Sequence, residues 1–347
     1  MRLSFIFPSI FAGVFGWLSL HAETYEIPRC EAVPLAHQEV SFRILGEEKL
    51  RWHFGSNDPR PFFFPLTGPA GGWLTRIGHP GAPDHDHHFS VWFAHHDVAG
   101  ADFWSNNGKT TIRQKQWLAY CDGTDEAVMA CLLGWYEGSG TGDRELMQQE
   151  LIAALIPLKD GEYALELQST FSPPTGQESV ALGKTNFGFL AVRLAKSVSE
   201  LFGGGILTNS EGAKHEAEIF GKKARWVDYS GPVAIGAGDS RQAVVQGITY
   251  FDHPENPRYP TLWHVRQDGW MGASFCLEEG DSIARGSPLR LRYLLYAHRN
   301  GSNAAAADAI QEEFARRPRF EVIKGTQKQG QWTVRRVEPT SPPPPKP

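Results

Sequence analysis

The sequence predicts an all-β fold, mainly antiparallel, built as one large β-sandwich with a single short C-terminal helix. Three observations carry this expectation. The 347 residues include 36 Gly and 24 Pro, a turn-rich composition that implies many strands. Runs with period-two alternation recur from end to end, most of them bounded by Gly or Pro clusters. Only one stretch reads as a helix, and neither a fixed-period repeat nor a mid-chain linker divides the chain.

Residues 1–22 read as an export signal: Met1-Arg2 is a short basic start, LSFIFPSIFAGVFGWLSL is the apolar run, and the cut falls after Leu20-His21-Ala22. Pro8, Gly13 and Gly16 interrupt a run that barely reaches the ~18–20 residues of a bilayer span. Cleavage is therefore expected over anchoring, with no integral span left afterwards and a periplasmic or extracellular destination. Losing Arg2 leaves 33 Lys and Arg against 39 Asp and Glu, a net −6. That mild acidity argues against a nucleic-acid or anionic-lipid partner. Cys30, Cys121, Cys131 and Cys276 could pair in an exported chain, with Cys121 and Cys131 flanking the turn-like DGTDEA. Four cysteines allow three pairings, and sequence does not choose among them. No CxxC is present.

Residues 23–338 form the expected sandwich domain. VSFRI (40–44), KLRWHF (49–54), AVMACLLGWY (127–136), FGFLAVRLA (187–195), AVVQGITYF (243–251) and LRLRYLLY (289–296) read as strands. Residues 151–171 read as a hairpin that turns at Lys159-Asp160-Gly161-Glu162, with Asp-Gly as its signal. Ser302 or Asn303 caps AAAADAIQEEFARR, in which Ile310 and Phe314 share a face and Pro318 follows the end. Residues 339–347 are a Pro-rich tail, expected to be disordered.

Two segments concentrate chemistry. DHDHHFSVWFAHHDVAGADFW (84–104) holds five of the thirteen histidines. On a straight strand Phe89, Val91, Phe93 and His95 share one face, and Ser90, Trp92, Ala94 and His96 the other. Eight residues of strand separate His88 from His96 by about 26 Å, too far for one metal ion. Two groups result: a loop group from Asp84 to His88, and a strand-end group of His95, His96 and Asp97. Three readings stay open for the loop group. The imidazoles brace the loop, or His85 and His87 with an Asp bind a divalent metal, or His and Asp do acid–base work, the Asp fixing tautomer and basicity. DHPENPRYPTLWHVRQDGW (252–270) sets His253, Asn256, Arg258, His264 and Arg266 among three prolines, a pattern suited to binding hydroxyls or carboxylates. His264 and Arg266, at i and i+2, share a strand face. Arg60 and Arg76 bracket a third, apolar stretch. Arg193 sits on a mostly apolar strand and either faces outward or requires an anionic partner. No GxSxG, P-loop or helix-opening GxGxxG supports serine hydrolysis, ATP chemistry or hydride transfer.

RPFFFPL, the 84–104 segment, NFGFLAVRLA, ARWVDYSG and the 252–270 segment resemble the DUF6807 family, also labelled methane oxygenase PmoA-like. The family's central pattern is similar to DHxHHxGxWxxHxDVNGxDFW. Here Ser90 stands for Gly, and Ala99 for Asn, which removes an amide available to substrate. Methane oxidation is not carried over, because a membrane monooxygenase subunit needs several spans. The resemblance implies a sandwich of the galactose-mutarotase type, whose members bind sugars on a sheet and use His with a carboxylate as acid and base.

The expectation is an exported carbohydrate-associated protein whose ligand is a small molecule or oligosaccharide. His88 or His95 and His264 are the acid–base candidates, oriented by Asp84 or Asp97. Arg60, Arg76, Trp92, Asn256 and Arg266 are the substrate-binding candidates. Two alternatives remain, a non-catalytic glycan-binding module and a metal-dependent enzyme built on His85 and His87.

Overall fold

The computed structural model describes residues 26–138, 142–326 and 328–337. The leader at 1–22 and the tail at 339–347 lie outside the described residues. The strands, in chain order, are β1 (Cys30–Leu35), β2 (Glu39–Ile44), β3 (Glu47–His53), β4 (Phe62–Leu66), β5 (Val91–His95), β6 (Thr110–Cys121) and β7 (Ala127–Glu137). Next come β8 (Arg144–Pro157), β9 (Tyr163–Ser172), β10 (Ser179–Leu182), β11 (Gly188–Arg193), β12 (Ile206–Asn209), β13 (Trp226–Ile235) and β14 (Gln242–Asp252). The last are β15 (Trp263–Arg266), β16 (Trp270–Ala273), β17 (Asp281–Ala284), β18 (Leu289–Arg299), β19 (Phe320–Lys324) and β20 (Trp332–Arg336).

Two eight-stranded antiparallel sheets face each other. One runs β1-β2-β3-β4-β5-β11-β16-β15, the other β12-β13-β14-β18-β9-β8-β7-β6. The core between them draws residues from Cys30 to Ala297, because alternate side chains of each strand face the partner sheet. The expected β8–β9 hairpin turns at Lys159–Gly161, with Asp160 at φ 56°, a left-handed conformation that Asp tolerates.

Among the described residues there are three α-helices: α1 (Glu200–Gly203), α2 (His215–Ile219) and α3 (Ala304–Arg316). Asn303 is the α3 cap, its side chain accepting from the Ala306 N–H at 3.1 Å. Phe314 is buried and Ile310 half-buried, so α3 and the β19–β20 hairpin cover part of the second sheet's outer face.

All four cysteines are free. Cys131 faces the central core while Cys121 packs on the opposite side of the same sheet, so the Cys121–Cys131 hairpin bridge does not form. Burial pushes the Cys131 thiol above its ordinary range.

The expected face assignment holds within β5 and fails just before it. Val91 and Phe93 join the central core, whereas Phe89 lies on the outer face with Trp92 and Ala94. Ser90, at φ 62°, interrupts the alternation. This backbone state favours Gly.

Candidate functional site

The outer face of the first sheet carries a second aromatic cluster, and its composition follows from strand register. Trp92 on β5 pairs with Ala191 on β11, which pairs with Gly272 on β16, which pairs with His264 on β15. The adjacent row is Arg193, Trp270 and Arg266. Ala191 and Gly272 leave room between the larger side chains, and the Trp270 indole lies over Gly272, where an added Cβ would sit 3.4 Å from Nε1. A cleft of about 380 Å³ opens above, lined chiefly by His85, His87, His88, His264, Arg193 and Trp270, with Trp104, Phe187 and His96 at its side.

An ion pair anchors one wall. Arg193, 1% exposed, donates to both Asp268 oxygens at 2.7 and 2.8 Å. Asp268 sits on the β15–β16 turn, which closes with Gly269 at φ 93° and the Gly269 N–H donating to the Arg266 carbonyl. His79 Nε2 donates to Asp268 Oδ2 at 2.8 Å, and the Gly81 N–H donates to His79 Nδ1. Burial opposes the Asp268 charge, but the Arg193 guanidinium wins and holds the carboxyl well below the ordinary range. Arg193 lies on the outer face of the sheet yet is buried, and Asp268 is the anionic partner that a buried guanidinium requires.

Two imidazoles flank the Trp270 indole, His88 with ring centroids 5.3 Å apart and His264 at 5.6 Å. His264 Nδ1 donates to the Asn186 carbonyl at 3.0 Å. That fixes the proton on Nδ1 and leaves Nε2 as a lone pair. Burial, then the Arg266 charge, lowers its pKa to about 4. Burial, then Arg193, holds His88 far lower than an ordinary imidazole, and its Nδ1 has no partner among the described residues. Burial, then Arg60, lowers His87 to about 4. All three rings are therefore neutral at pH 7.

Several sequence candidates lie elsewhere or act indirectly. His95, fully buried, points the other way, into the core against Phe189, because it falls on the inward parity of β5. Gly188 opposite it has no room for a side chain, since a Cβ would meet the His95 ring at 2.5 Å. His95 is thus divided from His264 by the sheet itself. Asn256 is also a structural residue. Its amide donates to Asp252 and to the Arg292 carbonyl, and its oxygen accepts from the Arg292 N–H, each at 2.7 Å. Asp97 accepts from the Gly100 N–H in a turn, and exposed Asp84 pairs with His85 Nδ1 at 2.9 Å.

Trp92 is buried beneath His88, Trp104 and Trp270 as a support. Arg60 is buried and donates to the His87 and Ser105 carbonyls and to the Asn106 side chain. It holds the histidine loop from behind. Arg76 donates to the Gly78 and Asp268 carbonyls. Arg266 lines the cleft and pairs with Glu216 at 2.7 Å. Ala99 occupies an exposed two-residue turn between Val98 and Ala101, with Ala99 at φ 52° and Gly100 at φ 86°. This is the turn that favours Asn-Gly, so the missing amide belongs to turn chemistry and not to the cleft. His85 and His87 line the cleft, but among the described residues no three His, Cys, Asp or Glu side chains are grouped to hold a metal ion.

Sequence reasoning passed over His79 and Asp268. Asp268 lies two residues after Arg266 and just before Gly269, a turn signal that would have placed it at a loop tip. His79 carries no comparable signal.

The chain belongs to the DUF6807 family, a family of unknown function, which it matches over residues 39–312. No curated protein matches it.

Proposed function

We propose that this DUF6807 protein binds a sugar or glycoside in the histidine cleft and removes a proton from carbon, the chemistry of an epimerase or lyase. The observation that carries the reading is His264, whose Nδ1–H is committed to the Asn186 carbonyl while its ring lines the cleft beside His88. A neutral imidazole with one lone pair is a general base. It takes the proton from a carbon next to a carbonyl or carboxylate, and the electron pair moves onto that oxygen. Returning a proton to the carbon completes an epimerisation, whereas departure of the β-substituent completes an elimination. Trp270 and Trp104 give the cleft an apolar aromatic wall suited to the C–H face of a sugar. Two-carboxylate hydrolysis fits less well, because Asp268 is the one carboxylate among the lining residues and it is tied to Arg193. The galactose-mutarotase type of sandwich, implied by the resemblance, and export, implied by residues 1–22, belong to the same proposal.

The test is deuterium wash-in. The protein is incubated in heavy water with a panel of sugars, sugar acids and glycosides, and incorporation at carbon is read by NMR. Incorporation with at least one compound, abolished in His264→Gln, is expected. Binding without exchange, unaffected by His264→Gln, would instead favour a glycan-binding module.

A further inference from the structure

We infer that the cleft takes an anionic ligand, specifically a sugar bearing a carboxylate; this rests on the sugar reading above and narrows it. The first ground is unbalanced charge. Arg193 lines one wall, and Arg76, outside the lining residues, donates to the Asp268 carbonyl next to it, with Asp268 as their shared counter-ion. Arg193 occupies both carboxylate oxygens, and Arg76 is left with the backbone carbonyls of Gly78 and Asp268. Arg60, behind the loop, likewise donates only to carbonyls and the Asn106 amide. Its nearest carboxylate influence is Asp102, which accepts from the Trp104 and Ser105 N–H groups and contacts His96. Arg266 and Glu216 cancel one another. The neutral imidazoles between these groups add no charge of either sign. A guanidinium held out of water without a carboxylate is costly, and an anion entering the cleft supplies what the protein lacks.

The second ground is independent of charge. Among the described residues, two lining residues carry buried N–H groups without a partner, Arg193 Nε and Trp270 Nε1, with His88 Nδ1 beside them and Arg76 Nε and Trp92 Nε1 in the layer beneath. The guanidinium and indole atoms are N–H donors, so the wall and the layer beneath it have donors in excess of acceptors. A ligand rich in acceptor oxygens matches that surplus, and the planar guanidinium fork matches a carboxylate. A carboxylate is also the group that acidifies the adjacent C–H which the His264 base would attack.

The experiment measures binding by calorimetry to the chain after residue 22, using methyl glucuronoside and methyl galacturonoside. Their neutral counterparts, methyl glucoside and methyl galactoside, and glucose 6-sulfate are the comparisons. The uronosides are expected to bind about tenfold more tightly than the neutral glycosides, with the margin shrinking in high salt. Arg76→Gln should erase most of that margin. If Arg76→Gln fails to fold, Glu216→Gln serves instead: it frees the exposed Arg266 guanidinium and should strengthen uronoside binding severalfold. Equal affinity for charged and neutral glycosides overturns the inference and leaves the sugar reading standing. Tighter binding of the sulfate than of either uronoside overturns the carboxylate assignment. A panel in which nothing binds overturns the sugar reading together with this one.

Discussion

His95 offers a quantitative check on which histidines belong to the cleft. It is fully buried against Phe189, its Nδ1 accepts from the Asp97 N–H at 3.1 Å, and its Nε2–H finds no acceptor among the described residues. Burial lowers its pKa from 6.5 to about 4. Between those values the unfolded chain binds a proton that the folded chain refuses, so stability falls as pH drops. At 1.36 kcal/mol per pKa unit, this one residue removes about 3 kcal/mol of stability between pH 7 and pH 4. His264, His87 and His253 act in the same direction. Asp252, raised to about 7 by burial, acts oppositely, because its folded form retains the proton. A difference between two proteins isolates His95 from these. His95→Asn keeps an acceptor for the Asp97 N–H, removes the titration, and costs about 1 kcal/mol at pH 7 through the small void it opens. Urea unfolding followed by tryptophan fluorescence at pH 7 and pH 4 gives both stabilities. The wild type should lose about 3 kcal/mol more than His95→Asn over that interval. Equal losses would refute the account of His95 as a neutral, core-facing imidazole. Full exchange activity in the variant at pH 7 would accompany the expected result.

The exchange reaction should be flat near neutrality and should decline as pH falls through about 4, because the His264 base works only unprotonated; a pH profile of kcat/KM reads this directly. Asp268→Asn leaves the Arg193 guanidinium buried without its counter-ion and should cost about 3 kcal/mol in urea unfolding. A loss under about 1 kcal/mol would show that the pair is dispensable. Ala99→Asn restores the residue preferred by its turn and should raise stability by about 0.5–1 kcal/mol with binding unchanged.

The strands were legible because alternation is a local property. Tyr163, Leu165 and Leu167 repeat every second residue, and each is buried in the core as that period requires. Asn303 and Pro318 bracket α3 by equally local chemistry. The site was legible in part. His264 and Arg266 were placed on one strand face by their spacing, and both line the cleft. His95 reads as a site candidate, although its strand parity already groups it with Val91 and Phe93, whose face is the one packed into the core. Asn256, in the same proline-rich segment as His264, serves the backbone of Arg292 across 36 positions of sequence.

By itself the sequence determined the fold class, the positions of several strands and of the C-terminal helix, and the two segments that hold the imidazoles. Each of these is written in spacings of two to four residues, the range over which backbone geometry dictates where a side chain points. Only tertiary structure decided which imidazoles meet. The partnership of Arg193 with Asp268, the packing of His88 and His264 on one indole, and the exile of His95 to the interior depend on register between strands distant in the chain. That register is set by burial of whole sheet faces, and no short stretch of sequence contains it.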